Sequence, residues 1–409
     1  MNNNRELPEE IWMEILVYLK ANDLQNYKIV SKQWRSLISY PTFINSHLSL
    51  LRYQQQPDEI LITTLTSPKP SNLVRCIQYH FYSIVNSNKI SMMRQKELQF
   101  PLYDHNQRDS KLVLCLQSSC EGLLLFQDKY NPKQLYISNP VTSMFKPLPP
   151  LIQVKCQCCF WALVRDTRLN KYKVFGVKSQ RTFVVLTLEE DATLSSHWKI
   201  CHLRENDHQR FSMLSQFLLF QNEELLWLTT DKYGEPAPDA LNCYCIHSIN
   251  IETLIFSKIN IPPYVLKVPL NEFSSVDLYL KCKGARHLLS ELNGSSLCLT
   301  TVSESKLEMF VLEDRLKCVW TKSHVIHLKS LLNRHYSLKT FFVDICLVTM
   351  RDVDKSNLLD LVKVLIHHED QLLLYDLKSQ ECRKIGFLEK DQKLCRHYLF
   401  HSNSLVSWD

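Results

Sequence analysis

The residues with the strongest claim to chemistry are clustered cysteines and histidines, and the chemistry they would do is metal binding. Cys156-Gln157-Cys158-Cys159 puts alternate thiols on one face of a strand, and Cys243-Tyr244-Cys245 with His247 repeats the pattern. Neither is matched by a second Cys or His pair at zinc-ribbon spacing, so reduced thiols in strand cores are expected instead. His397 and His401 are four apart, a chelating interval on a helix. On a strand about 13 Å separates them, too far for one metal. His367-His368-Glu369-Asp370 falls at a strand end, where a solvated polar cluster is expected, and His324 with His327 shows no partner in the sequence. Glu189-Glu190-Asp191 and Glu223-Glu224 sit in turn-like surroundings as solvated charge. The chain has no Gly-x-Ser-x-Gly elbow, and its six glycines allow neither a Gly-x-Gly-x-x-Gly nor a Walker loop. No catalytic, cofactor or metal site is expected.

What the sequence does hold out is an apolar face. Leu7 to Phe43 is expected to form three short helices. Leu7, Ile11, Ile15 or Leu16, and Leu19 recur at three- and four-residue steps, one stripe of a helix. Pro8 suits the first helical position, since its missing N–H would be unpaired there. Glu9, Glu10 and Glu14 early and Lys20 late complement the helix dipole. Asp23 is expected to cap a second helix through Leu24, Tyr27 and Val30, and Ser31 a third through Trp34, Leu37 and Ile38. Pro41 is expected to stop it. A unit of this size buries little alone, so its face needs a partner or the rest of the chain.

This stretch resembles an F-box, the module that hooks a substrate receptor onto the adaptor of a cullin–RING ubiquitin ligase. The matching residues are Leu7-Pro8, the Ile11…Ile15-Leu16…Leu19 stripe, Asp23-Leu24 and Val30-Ser31-Lys32-Gln33-Trp34-Arg35-Ser36-Leu37-Ile38. Two positions depart from the pattern: Leu19-Lys20 stands where Leu-Pro is frequent, and Ser31 where Cys is common. The resemblance implies that Leu7, Pro8, Ile11, Ile15, Leu16, Leu19, Leu24, Val30 and Trp34 are buried against the adaptor. A charge at Leu16 is then expected to cost several kcal/mol of binding.

Composition narrows the rest. A chain of 409 residues holds two or three domains, or a small module and a large repeat-like one. Its 45% hydrophobic and 22% charged residues are ordinary globular values. The net charge of +6 is scattered without a dense basic run, which gives nucleic-acid binding no support. The opening Met-Asn-Asn-Asn-Arg reads as no signal peptide, and no eighteen-residue apolar run offers a membrane span. Fifteen cysteines are then expected to be reduced, in cytoplasm and/or nucleus.

After the helices the pattern changes to short strands rich in β-branched and aromatic residues, punctuated by Asn, Asp and Pro. They begin within residues 48–109, a connecting segment, and run from Leu112–Cys120 to a closing Leu405–Trp408. One strand–turn–strand formula recurs at Cys120–Phe126, Asn222–Leu228, Leu292–Leu299 and Glu369–Tyr375. Such units cannot bury their own faces, and stacking them radially gives a β-propeller. Seven blades are expected, with six or eight open. This part resembles the plant F-box-associated, kelch-like family. The resemblance rests on Cys120-Glu121-Gly122-Leu123-Leu124, Ile137-Ser138-Asn139-Pro140-Val141-Thr142 with Leu148-Pro149, Asn170–Val174, Ile249–Thr253 before Ile261-Pro262, and His401–Ser407. The kelch double glycine is absent.

The expected organisation is therefore an all-α F-box at 1–47, a connecting segment at 48–109 and an all-β, kelch-like propeller at 110–409. The implied function is that of a non-catalytic substrate receptor of an SCF-type ligase. Its partners would be the adaptor, through it a cullin, and an unidentified target protein. Two alternatives are a propeller scaffold whose helices dock on its own body, and a propeller enzyme needing convergent carboxylates or a metal.

Overall fold

The computed structural model describes residues 7–54, 59–64, 75–85, 89–100, 114–128, 130–151, 160–179, 182–188, 198–202, 210–213, 219–232, 243–266, 286–292, 296–303, 306–331, 343–349, 362–368, 371–387, 397–401 and 404–406. It opens with helices α1 (Glu9–Leu16), α2 (Ala21–Tyr27), α3 (Lys32–Ser39) and α4 (Pro41–Gln54). Ser31 caps α3 as expected, its Oγ accepting the Trp34 N–H at 3.0 Å. Two local expectations are corrected. Pro41 not only ends α3 but opens a fourth helix, because its fixed φ and missing N–H suit a first helical position. Asp23 lies in the first turn of α2, whose N-cap is Lys20. Among the described residues no helix is long and apolar enough to cross a membrane.

The remainder is an all-β domain, a β-propeller, in which the described strands form six antiparallel sheets. The first joins β1 (Glu59–Thr64), β2 (Arg75–Val85) and β3 (Lys89–Phe100) to β25 (His397–His401), so the first and last strands pair. The second is β4 (Leu114–Cys120), β5 (Leu123–Asp128), β6 (Leu135–Asn139) and β7 (Met144–Pro147). The third is β8 (Phe160–Asp166), β9 (Lys171–Ser179), β10 (Thr182–Thr187) and β11 (Lys199–His202). The fourth holds β12 (Arg210–Met213), β13 (Leu219–Gln221), β14 (Glu224–Lys232), β15 (Cys243–Asn250) and β16 (Phe256–Ile261). The fifth is β17 (Arg286–Leu292), β18 (Ser296–Val302), β19 (Lys306–Asp314) and β20 (Val319–His327). The sixth is β21 (Val343–Thr349), β22 (Val362–His368), β23 (Gln371–Asp376) and β24 (Cys382–Phe387). The expected closing strand Leu405–Trp408 is corrected: the closing strand is β25, and the described residues 404–406 after it are irregular.

Two compact units divide the chain. Residues 1–157, 187–198 and 391–409 form one, and 158–186 with 199–390 the other. In the second unit the pleat explains the sequence. Successive side chains of a strand point to opposite faces. Leu225 and Trp227 of β14 pack with Val164, Phe175 and Phe183 of the third sheet, while Leu226 and Leu228 pack with Leu297, Leu299 and Phe310 of the fifth. Cys298, between those two leucines, turns instead to Val364, Ile366 and Leu373 of the sixth. A strand covered on both faces must be apolar throughout, which is why the inner strands appear as unbroken hydrophobic runs. Gly176 shows how close this packing is. A Cβ there would lie 2.7 Å from Val184 Cγ2 and 2.8 Å from Cε3 of the Trp161 ring, whose Cζ3 would be nearer still. Gly176→Ala is expected to lower unfolding stability by roughly 1–3 kcal/mol, measured by urea titration, because a full core must be pushed apart.

The turns follow one plan. Asn139, Asp166, Asn250, Asp314 and Asp376 each end a strand, and each side-chain Oδ1 accepts backbone N–H groups two or three residues on. Four residues after each stands a non-glycine with positive φ: Ser143 at 59°, Asn170 at 56°, Leu254 at 57°, Cys318 at 53° and Gln380 at 56°. The side-chain hydrogen bonds hold the loop in a shape whose last residue must turn left-handed to re-enter the sheet. Asp166 also pairs with Lys173 at 2.5 Å. Burial pushes its carboxyl up, but Lys173 and the Leu169 and Arg168 N–H groups together hold it below the usual carboxylate range.

Candidate functional site

The helical module has an inside and an outside. Leu16, Ala21, Leu24, Leu37, Ile38 and Phe43 form its core, with Trp12, Met13, Val17, Leu19, Trp34 and Ile44 half-buried around them. Two residues from elsewhere in the same unit complete this core: Val141, in the turn after β6, and Leu405. The ring of His47 on α4 lies 2.9 Å from the Leu19 carbonyl through Nε2, tying α4 to the end of α1. Trp34 packs its ring against Trp12 at 5.2 Å and Tyr27 at 5.7 Å, which fixes α3 against both earlier helices.

The nine residues singled out from the sequence therefore divide. Leu7, Ile11 and Ile15 are 46%, 39% and 48% exposed, one stripe along α1 at four-residue steps, and Val30 is 62% exposed beyond α2. Pro8 is exposed at the N-cap of α1. Leu19 and Trp34 are half-buried. Leu16 and Leu24, at 1% and 0%, lie inside the chain's own core. In this structure the inward side of α1 is filled by Val141 and Leu405. Four further side chains here are exposed and stand outside those nine, Tyr18, Tyr27, Ile29 and Tyr40. Ile29 follows the last turn of α2, where helical periodicity no longer indicates which way a side chain points. Of the fifteen large apolar residues exposed among the described ones, eight lie between Leu7 and Tyr40. That concentration marks a surface built to be covered. Exposed Glu9, Glu10 and Glu14 rim the α1 stripe.

The candidate metal residues fare differently. Among the described residues no three His, Cys, Asp or Glu side chains gather into a metal-holding group. Cys156-Gln157-Cys158-Cys159, Glu189-Glu190-Asp191 and Glu369-Asp370 lie outside the described residues. His397 and His401 stand on strand β25. Cys245 Sγ is 3.3 Å from His247 Nε2 and 3.0 Å from Thr229 Oγ1. This is a nucleophile's pairing in outline, but all three side chains are sealed in the core, beyond reach of a substrate. His324 on β20 is half-buried beside Ser323, and burial pushes its pKa down. Burial pushes the Cys298 thiol up to about 11, against weaker opposing hydrogen bonds, so it stays protonated at neutral pH. Iodoacetamide at pH 8 is expected to leave Cys298 unmodified in the folded chain and to label it after denaturation, as peptide mass mapping would show.

Residues 5–45 match the F-box domain family. A putative F-box/kelch-repeat protein of Arabidopsis thaliana, At1g12870, is 27% identical over 148 residues, 35% of this chain and 32% of that protein. The F-box/kelch-repeat protein At3g23880 of the same plant is 24% identical over 211 residues, 49% of this chain and 52% of its own length. The matched region thus spans a third to a half of these relatives. Among solved structures, the β-propeller domain of Vanderwaltozyma polyspora Nup133 aligns over 84% of this chain and 90% of that one, at a TM-score of 0.37 and 10% identity. The chain has an F-box domain at its N-terminus, a β-propeller domain behind it, and plant F-box/kelch-repeat homologues.

Proposed function

We propose that the chain is the substrate-recognition subunit of an SCF-type ubiquitin ligase, working in the cytoplasm and/or nucleus. The observation that carries this reading is the exposed stripe of Leu7, Ile11 and Ile15, with Val30, on an F-box whose opposite side is already packed. The adaptor would cover that stripe and bring a cullin with it, while the propeller would hold a target protein through its turns. The chain does no chemistry in this scheme. It raises the effective concentration of a target lysine near the charged conjugating enzyme. A propeller scaffold outside any ligase is the second reading, favoured by the packing of Val141 and Leu405 against the helices. Co-purification of the full chain with recombinant SCF adaptor separates the two. A stoichiometric complex supports the receptor, and a folded chain that leaves the adaptor unbound overturns it.

A further inference from the structure

The segment Ser404–Val406 joins parts of the chain that lie far apart in sequence. The Asn139 side-chain amide donates to the Ser404 carbonyl at 3.1 Å and to the Val406 carbonyl at 2.7 Å, while its Oδ1 accepts the Val141 N–H at 2.9 Å. Both donors and the acceptor of this buried amide are thus used, one side holding the segment and the other shaping the turn that carries Val141. Ser404 Oγ donates to the Glu121 carbonyl at 2.5 Å. Gly122 follows at φ 89°, and a Cβ there would lie 2.8 Å from Ser404 Cβ and 2.9 Å from its backbone N. A side chain at 122 would therefore push the segment away. Between the two anchored carbonyls stands Leu405, buried with Val141 among Leu16, Leu24, Leu37, Ile38 and Phe43 of the helices.

We infer that Ser404-Leu405-Val406 is a clasp that seats the F-box on the second sheet, with Asn139 and Gly122 as its lower jaw and Leu405 as the tooth. The F-box is then presented at a fixed orientation to that sheet rather than on a free tether. Polar groups buried at 0% exposure on both sides of the contact give it one geometry: shifting it by a residue would leave Asn139 or Ser404 unpaired. The inference stands apart from adaptor binding, because it concerns the inner side of the helices and not the exposed stripe.

Amide hydrogen exchange on the full chain, without adaptor, tests it. Leu405→Ala removes the tooth, and Gly122→Ala opens the jaw from a position remote in sequence. Each is expected to speed exchange in α2 and α3, at Leu24, Leu37 and Ile38, by roughly ten-fold or more while β4–β7 keep their protection. Leu405→Met, which fills the same space, is expected to leave both unchanged. Unaltered exchange in the helices of both alanine variants overturns the clasp, as does equal loss from helices and sheet, which would make the segment a general support. Ile15→Asp serves as the control. It is expected to lose adaptor while exchanging like wild type, so failure of the receptor reading and failure of the clasp are separately visible.

Discussion

Ile15→Asp is expected to weaken adaptor binding by about 2–4 kcal/mol, a factor of roughly 30 to 1,000, without lowering the unfolding temperature. In the free chain Ile15 is 48% exposed, so a carboxylate there keeps its water and costs the fold little. In the complex the same carboxylate would be pressed into an apolar contact and stripped of solvent without a partner. Glu14 beside it and Glu9 and Glu10 earlier on α1 add like charge to the same helix. Leu16→Asp, one residue on, is expected to reach a similar loss of binding by a different path. Its charge would sit in a core site of 1% exposure, and the helices would unfold rather than lose a contact. Titration calorimetry with the adaptor, paired with thermal melts, tells the two apart. Full affinity in Ile15→Asp would remove the exposed stripe from the interface.

Trp227→Ala is expected to cost roughly 3–5 kcal/mol of unfolding free energy, a large share of the 5–15 kcal/mol typical of a domain. Trp227 is fully buried on β14 and touches aromatic rings on three sides: Phe183 at 5.4 Å, Phe256 at 6.0 Å and His247 at 6.0 Å. Removing the indole leaves a cavity between the third and fourth sheets that rigid strands cannot close. The indole N–H finds no hydrogen-bond partner among the described residues, so part of its desolvation cost is recovered when it goes. Trp227→Phe is therefore expected to lose much less, about 1–2 kcal/mol. Urea midpoints at constant slope measure both, and an alanine variant as stable as wild type would contradict the packing described here.

The comparison of Ile15 with Leu16 also shows how far a sequence can be understood alone. Periodicity placed both on α1 and marked an apolar face, but a helix with apolar residues on two sides does not say which side its own chain will cover. The answer depends on Val141 and Leu405, which arrive from more than a hundred and nearly four hundred residues away. Strand positions were legible where both faces are buried, as in β14 and β15, since apolar runs between turn residues admit little else. Edge strands such as β12 and β7 carry no such run and offer no such signal. The turn plan was half visible. Asn139-Pro140 and Asn250 gave the capping side chain, but the left-handed residues that follow are Ser143, Asn170, Leu254, Cys318 and Gln380, of which only Asn170 is a type that favours that conformation. Hydrogen bonding forces the others into it, and no residue type advertises that.

The pairing of β1 with β25 sets a timetable for synthesis. Thr63 lies opposite His397, so one partner leaves the ribosome more than three hundred residues before the other. At 5–20 residues per second the earlier strand waits roughly 20 to 70 seconds with an open edge, a template for pairing with a neighbouring chain. Nascent copies on one messenger thus carry the same sticky edge at the same time. A ribosome that stalls before residue 397 yields a product whose first sheet lacks its last strand, and the cell's chaperones meet that edge before any partner of the finished protein does.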